Sequence, residues 1–424
     1  MYQIHTIWVM TPSTIPRAAP LDGIRVLDMT SVMLGPYATQ MLGDYGADII
    51  KIEAPSGDST RVTGPSLEPG MAATFIGANR SKRSIVLDIK HPSGRDVLLK
   101  LAESADVLIC SVRPQKLAAL GLEPSVLMSR NDQLIFVSVQ GFSQDGPYAG
   151  RPAYDDIIQG LCGLAALSQA DGAEPRYMPT VLADKTCALF ATQAVLAAIV
   201  ARARSGRGSH VEVPMFEAMV NFTLVEHLYG AHFRPTLSEP GYPRLLTTWR
   251  RPYRTLDGYV CVVPYTNQHW QRFFEEAGRP ELMQEERFNG MAARTRNIDA
   301  LYAELATCLA TRSSADWLST LDRLDIPAAP LRRLAELETD PHLVATGFFQ
   351  QMHDPVMGPL VMPRAPLKFD GAHAVSSHLP PRLGEHTKEV LAQAGFHADQ
   401  IEQLLRCGAA SQSEYSPFTT NETP

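Results

Sequence analysis

Residues 24–53 read IRVLDMTSVMLGPYATQMLGDYGADIIKIE, and their pattern decides the fold. Ile24–Asp28 is a short apolar run. Pro36–Gly46 has helical spacing with Gly46 as a stop, and Ala47–Glu53 is the next apolar run. The same alternation continues outward. Ser84–Asp88, Ala105–Val112 and Leu134–Gln140 are further runs, and Pro92–Ser104 is helical between them. Near-continuous Val/Ile/Leu runs alternating with helices mark a parallel sheet covered on both faces. The first 150 residues therefore read as a doubly wound α/β domain.

Beyond it, a long helix is expected at 184–205, closed by Gly206-Arg207-Gly208. His210–Pro214 and Gly258–Pro264 read as strands, with a loop at 235–251 between them. Helices and turns over 265–335 suggest a second domain, and Thr387–Ala394 a last helix. Residues 1–20 read as a flexible leader, with Met10 as an alternative start, and 407–424 as a disordered tail.

Composition bounds the function. A length of 424 residues corresponds to two to three domains, and 45% hydrophobic residues are ample for a core. The net charge of −7 argues against a nucleic-acid or polybasic membrane binder. The 6 scattered cysteines, without a CxxC pair, read as reduced thiols of a cytoplasmic protein. The apolar stretch Ala188–Ala201 falls short of the roughly 20 residues a membrane span needs. His227 and His232 lack metal-ligand spacing, so no metal is expected. GxGxxG, Walker A, HExxH and GxSxG are all absent from the sequence.

Three features could carry chemistry. Asn79-Arg80-Ser81-Lys82-Arg83 precedes a strand and reads either as a solvated loop or as an anion-binding edge. GFSQDGPYAGRPAYDD, residues 141–156, follows a strand where open α/β sheets place ligands. Asp184 opens the long helix, either as a plain N-cap or as a carboxylate nucleophile kept ionised by the helix dipole.

Together these stretches resemble the class III (family III) CoA-transferases, the group containing formyl-CoA transferase and the carnitine CoA-transferases. The α-methylacyl-CoA racemases are a sister group. The resemblance spans roughly residues 20 to 405. It is carried by residues 20–61, by NRSKRSIVLDIK and ADVLICSVRP, and by VSVQGFSQDGPYAGRPAYD. SGRGSHVEVPMFEA, DGYVCVV and PRLGEHTKEVL follow in order.

The resemblance implies that Asp184, in PTVLADKTCALFATQAVLAAI, is the nucleophile. Transfer would pass through an aspartyl–acyl anhydride and an aspartyl-CoA thioester. It places Tyr154 at the catalytic position where racemases carry histidine, and a neutral phenol is a poor base. It implies CoA contacts at Met33, Leu34, Leu87, Asp88, Ile89, Lys90, Ser111, Val112, Arg113, Arg151, Pro152, Ala153 and Tyr154. CoA is then a substrate rather than a tightly bound cofactor, and a small carboxylic acid is its partner. Formyl-CoA transferases have glutamine at the place of Met33 and arginines at those of Ala54 and Ala119. This chain lacks them, so either Lys90, Arg113 or the Arg80–Arg83 cluster would supply the phosphate charge, or CoA would be held more loosely. The glycine-rich lid is replaced by GYPRLLTTWRRPYRT, where Arg250, Arg251 and Arg254 could meet a carboxylate or serve a surface.

By resemblance the fold is a Rossmann-like large domain from 21–220 and 335–405, with a smaller domain, 225–335, inserted. Two chains would interlock as a homodimer. The remaining alternatives are a 2-methylacyl-CoA racemase and a non-catalytic CoA-binding protein.

Overall fold

The computed structural model describes residues 19–169, 174–373 and 378–413. Most of the expected leader (1–18) and of the expected tail (414–424) lies outside the described residues. Six of the seven strands of the central sheet are β1 (Arg25–Met29), β2 (Asp48–Glu53), β3 (Lys82–Leu87), β4 (Val107–Cys110), β5 (Ile135–Gln140) and β6 (His210–Pro214). They are parallel throughout, in the order β3-β2-β1-β4-β5-β6.

Alternation along each strand sorts the core into two layers, since successive side chains face opposite sides. Val26, Ile49, Val107, Ile109 and Val137 join one buried cluster, under α1 (Leu34–Asp44) and a long helix at Leu182–Ser205. Leu27, Ile50, Ile85, Leu108 and Phe136 join the other. There they meet Val97 and Leu98 of the helix Pro92–Ala102, and Val390, Leu391, Ile401 and Leu404 near the C-terminus. The strand order reverses between β1 and β4, where a doubly wound sheet opens a crevice at its carboxyl edge.

A short helix and a long one shape that edge. α2 (Asp155–Leu161) follows the Gly/Pro-rich segment after β5. α3 (Leu182–Ser205) runs to Gly206, whose φ of 71° ends it in the left-handed form that glycine adopts freely. Small residues at Ala183, Cys187, Ala188, Ala191, Val195 and Ala198 make its buried face. Its mean hydropathy of 1.6 over an 18-residue window corrects one expectation, because by length and composition it could cross a membrane. In the fold 39% of that window is buried, while Leu189 and Val200 on its outer face are exposed.

The expected disorder is also corrected for residues 407–413. Ala410–Ser411 pairs antiparallel with Leu87 and Val86 of β3, and Ala410 is buried. The polar composition of the tail obscured this, because the backbone pairs at a sheet edge and only two small side chains, Ala409 and Ala410, enter the apolar core.

The basic cluster is corrected as well. It opens β3, at the amino edge of the sheet, away from the crevice. Arg80 pairs with Asp44 at 2.6 Å, and Arg83 with Asp48 at 2.7 Å and Glu389 at 2.8 Å. Lys82, wholly buried, lies 3.1 Å from Asp28 and also donates to the Pro36 carbonyl and to Asn79. These cations are committed to internal carboxylates, because a buried charge persists only when paired. Asp28→Ala would strand Lys82 and is expected to cost about 3–5 kcal/mol, read as a lowered urea midpoint.

A separate apolar cluster is built from residues 253–326. It includes Trp270, Phe273, Phe288, Leu305 and Trp317. The strands Tyr253–Arg254, Tyr259–Val262 and Ala328–Pro330 form a small antiparallel sheet there.

Candidate active site

The carboxyl ends of β1 through β5 open into one cleft of about 900 Å³. Asp184 lines it, and so does every residue expected to contact CoA: Met33 and Leu34, Leu87–Lys90, Ser111–Arg113 and Arg151–Tyr154. Residues separated by up to 151 positions (33 to 184) thus meet in one space.

Asp184 lies in the first turn of α3, but it is not the N-cap. Val181 holds that position and makes no side-chain capping bond. Asp184 is 8% exposed, and among the described residues no group is found donating to its carboxylate. Its backbone N–H donates to Asp155 Oδ1 at 2.9 Å, so a residue of α2 caps α3 from outside. Asp155 is held in turn by Gln159 Nε2 at 2.5 Å, and Gln159 Oε1 accepts the Met178 N–H at 2.9 Å.

The expectation that the helix dipole keeps Asp184 fully ionised at neutral pH is corrected. Burial, then the negative charges of Asp155 and Asp156, push its carboxyl up to about 7. A dipole contribution at a helix start is small beside the cost of removing a carboxylate from water without donors. Tyr154, the residue preceding α2, is largely exposed and faces the same cleft.

Positive charge reaches the cleft from Lys90, Arg113 and Arg151, as expected, and also from Lys116. All four are exposed, and no ion pair engages them among the described residues; Arg151 lies over the Tyr148 ring at 4.6 Å. Sequence reading missed Lys116, although a signal existed. It lies three residues before Ala119 on the helix Pro114–Leu120, and that spacing shares a face. It also gave no role to Gln159 or, within the 141–156 stretch, to Asp155, because the N–H groups they accept from, at Met178 and Asp184, lie 19 and 29 residues away. Arg250, Arg251 and Arg254 do not line the cleft of this chain, and Arg251 sits over the Trp249 ring at 5.3 Å.

A crevice at the switch point, four cations without an ion pair among the described residues and a buried carboxylate suit a site for an anionic carrier. The chain belongs to CoA-transferase family III, whose model matches residues 21–387. It is an acyl-CoA:carboxylate CoA-transferase. A probable fatty acyl-CoA transferase of Mycobacterium tuberculosis is 32% identical over 90% of this chain and 100% of its own. The mouse succinyl-CoA:glutarate CoA-transferase is 28% identical over 96% of this chain and 94% of its own. An Escherichia coli formyl-CoA:oxalate CoA-transferase is 29% identical over 91% and 98%. A crystal structure of a M. tuberculosis protein superposes with a TM-score of 0.76 at 30% identity, over 88% of this chain and 99% of that one. A Brucella suis CAIB/BAIF family protein gives 0.75 at 31% identity, over 89% and 100%.

Proposed function

We propose that Asp184 is the nucleophile of this CoA transfer. The observation that carries the reading is a buried carboxylate, free of hydrogen-bond donors, facing the cleft that holds the CoA-contact residues. An Asp184 oxygen attacks the donor thioester carbonyl. The C–S bond breaks, CoA thiolate leaves, and an aspartyl–acyl anhydride forms. The thiolate then attacks the aspartyl carbonyl and expels the donor acid, leaving an aspartyl-CoA thioester. The acceptor carboxylate attacks that thioester and releases the thiolate again. The thiolate takes the acceptor's acyl carbon and regenerates Asp184. Burial of Asp184 supports survival of these intermediates against water. Tyr154 orients the substrate by hydrogen bonding, and its neutral phenol supports transfer over racemisation.

Lys90, Arg113 and Lys116 hold the CoA phosphates in place of the arginines absent at Ala54 and Ala119. Lys116→Ala is expected to raise KM for the acyl-CoA by about tenfold with kcat little changed, and to reduce its salt dependence. An unchanged KM would remove Lys116 from the phosphate site.

The protein acts in the cytoplasm as an interlocked homodimer. Its large domain is drawn from both chain ends, with the small domain inserted between them. The exposed Leu189, Val200, Phe222 and Val225 support a partner copy. Light scattering that returns a monomer contradicts this assembly.

The decisive experiment is hydroxylamine trapping during turnover with succinyl-CoA and fatty acyl-CoA donors, read by mass spectrometry. A hydroxamate on the peptide bearing Asp184 is expected. Transfer without any adduct on that peptide refutes the covalent route.

A further inference from the structure

The turn joining β1 to α1 contains a backbone conformation that its residue type opposes. Val32 has a φ of 70°, a genuine outlier for a β-branched residue. Such strain persists only where the surroundings over-determine it, and it gathers at functional sites. Here the constraint is explicit. The Val32 N–H donates to both carboxylate oxygens of Asp58, at 3.2 Å each.

Asp58 is itself fixed. It is 5% exposed and accepts from Lys51 Nζ at 3.0 Å, from the Thr60 N–H at 3.0 Å and from Thr60 Oγ1 at 2.8 Å. Its own N–H donates to Glu53 Oε1 at 3.0 Å. Lys51, wholly buried, also donates to the Thr30 carbonyl at 3.0 Å. Both ends of the turn, Thr30 and Val32, are therefore tied to one buried ion pair by charge-assisted bonds.

The turn forms the cleft wall at the switch point, since Thr30 through Leu34 all line it. Leu34 also packs in the same apolar cluster as Ala183 and Cys187, which flank Asp184 along α3. Movement at Val32 therefore displaces Met33 and Leu34 relative to Asp184.

We infer that Asp58 is a positioning residue for CoA transfer, holding Val32 in the left-handed turn and so fixing Met33 and Leu34 against the bound acyl-CoA. The inference rests on CoA occupying this cleft. Asp58 acts through the Val32 backbone and not on a reacting atom.

A purely structural Asp58 would serve only to neutralise Lys51. The two roles separate at Val32. Glycine adopts positive φ without the Cβ penalty, so Val32→Gly removes the strain that Asp58 opposes and keeps the Lys51–Asp58 pair. The test is a double-mutant cycle, read as kcat/KM for CoA transfer and as CoA affinity by calorimetry. Asp58→Asn is the variant used. It preserves volume and an oxygen for Lys51, while its amide NH2 replaces the oxygen shared by Thr60 and Val32, so the Val32 N–H loses one of its two acceptors and the charge-assisted character of the other. Asp58→Asn is expected to lower both quantities about tenfold in the otherwise unaltered chain, and less than about threefold in the Val32→Gly background. Equal losses in the two backgrounds, or no loss in the first, overturn the inference while CoA binding stands. A wild-type protein that does not bind CoA overturns the reading of the cleft, and this inference with it.

Discussion

Asp184→Ala is expected to abolish CoA transfer while leaving the chain folded and, above neutral pH, more stable than wild type. The loss of activity follows from the proposed role, since no other described carboxylate combines burial in the cleft with a position in the first turn of α3. Removal of a covalent nucleophile typically lowers kcat by four or more orders of magnitude (~10⁴ or greater). The gain in stability follows from electrostatics. The Asp184 carboxyl is raised from 3.8 to about 7 by burial and by Asp155 and Asp156. An acid with a raised folded pKa binds its proton more tightly in the folded state. Ionisation therefore lowers stability progressively from about pH 4 to about pH 7, and the loss is constant above that range. Its size is of order 4 kcal/mol. The variant should melt above wild type near pH 8 and approach it near pH 4. Retained transfer in the folded variant removes Asp184 from the mechanism, and equal melting at both pH values removes the electrostatic account.

The second large effect is expected at Asp155. Its carboxylate caps the Asp184 N–H, and its negative charge, after burial, raises the Asp184 pKa. Wild-type kcat/KM should fall on acidification with a midpoint near 7, because the nucleophile must be ionised. Asp155→Asn removes one negative neighbour, so that midpoint should move to lower pH. It also sets an amide against Gln159, whose own NH2 donates to Asp155 and whose oxygen is taken by Met178. The misplaced first turn of α3 should cost about tenfold to a hundredfold in kcat/KM near the optimum. Rate profiles over pH 5–9, a span of about four units, separate the two effects. A loss of rate with an unmoved midpoint would leave Asp155 a structural cap only.

Much of this was legible in the sequence because it depends on local pattern. The apolar runs of β1 to β5 carry the parallel sheet, and the glycine at 206 closes α3. The resemblance of separated motifs brought Asp184 and the CoA-contact residues forward, and all of them line one cleft. The errors share one physical origin. Arg80, Lys82 and Arg83 look like a binding cluster until their partners Asp44, Asp28, Asp48 and Glu389 are known. The strand at Ala410–Ser411 is stabilised by an edge that the chain completed over three hundred residues earlier.

By itself, then, the sequence determined the main elements and the family and singled out Asp184 as the candidate nucleophile, since period, turn chemistry and motif order are properties of neighbouring residues. The tertiary structure alone decided the state of each charge. Whether a carboxylate is ionised, or a cation free to meet a phosphate, depends on its solvation and on the charges within a few ångströms. At Asp184, at Asp58 and in the Arg80–Arg83 cluster, those neighbours arrive from other elements of the fold.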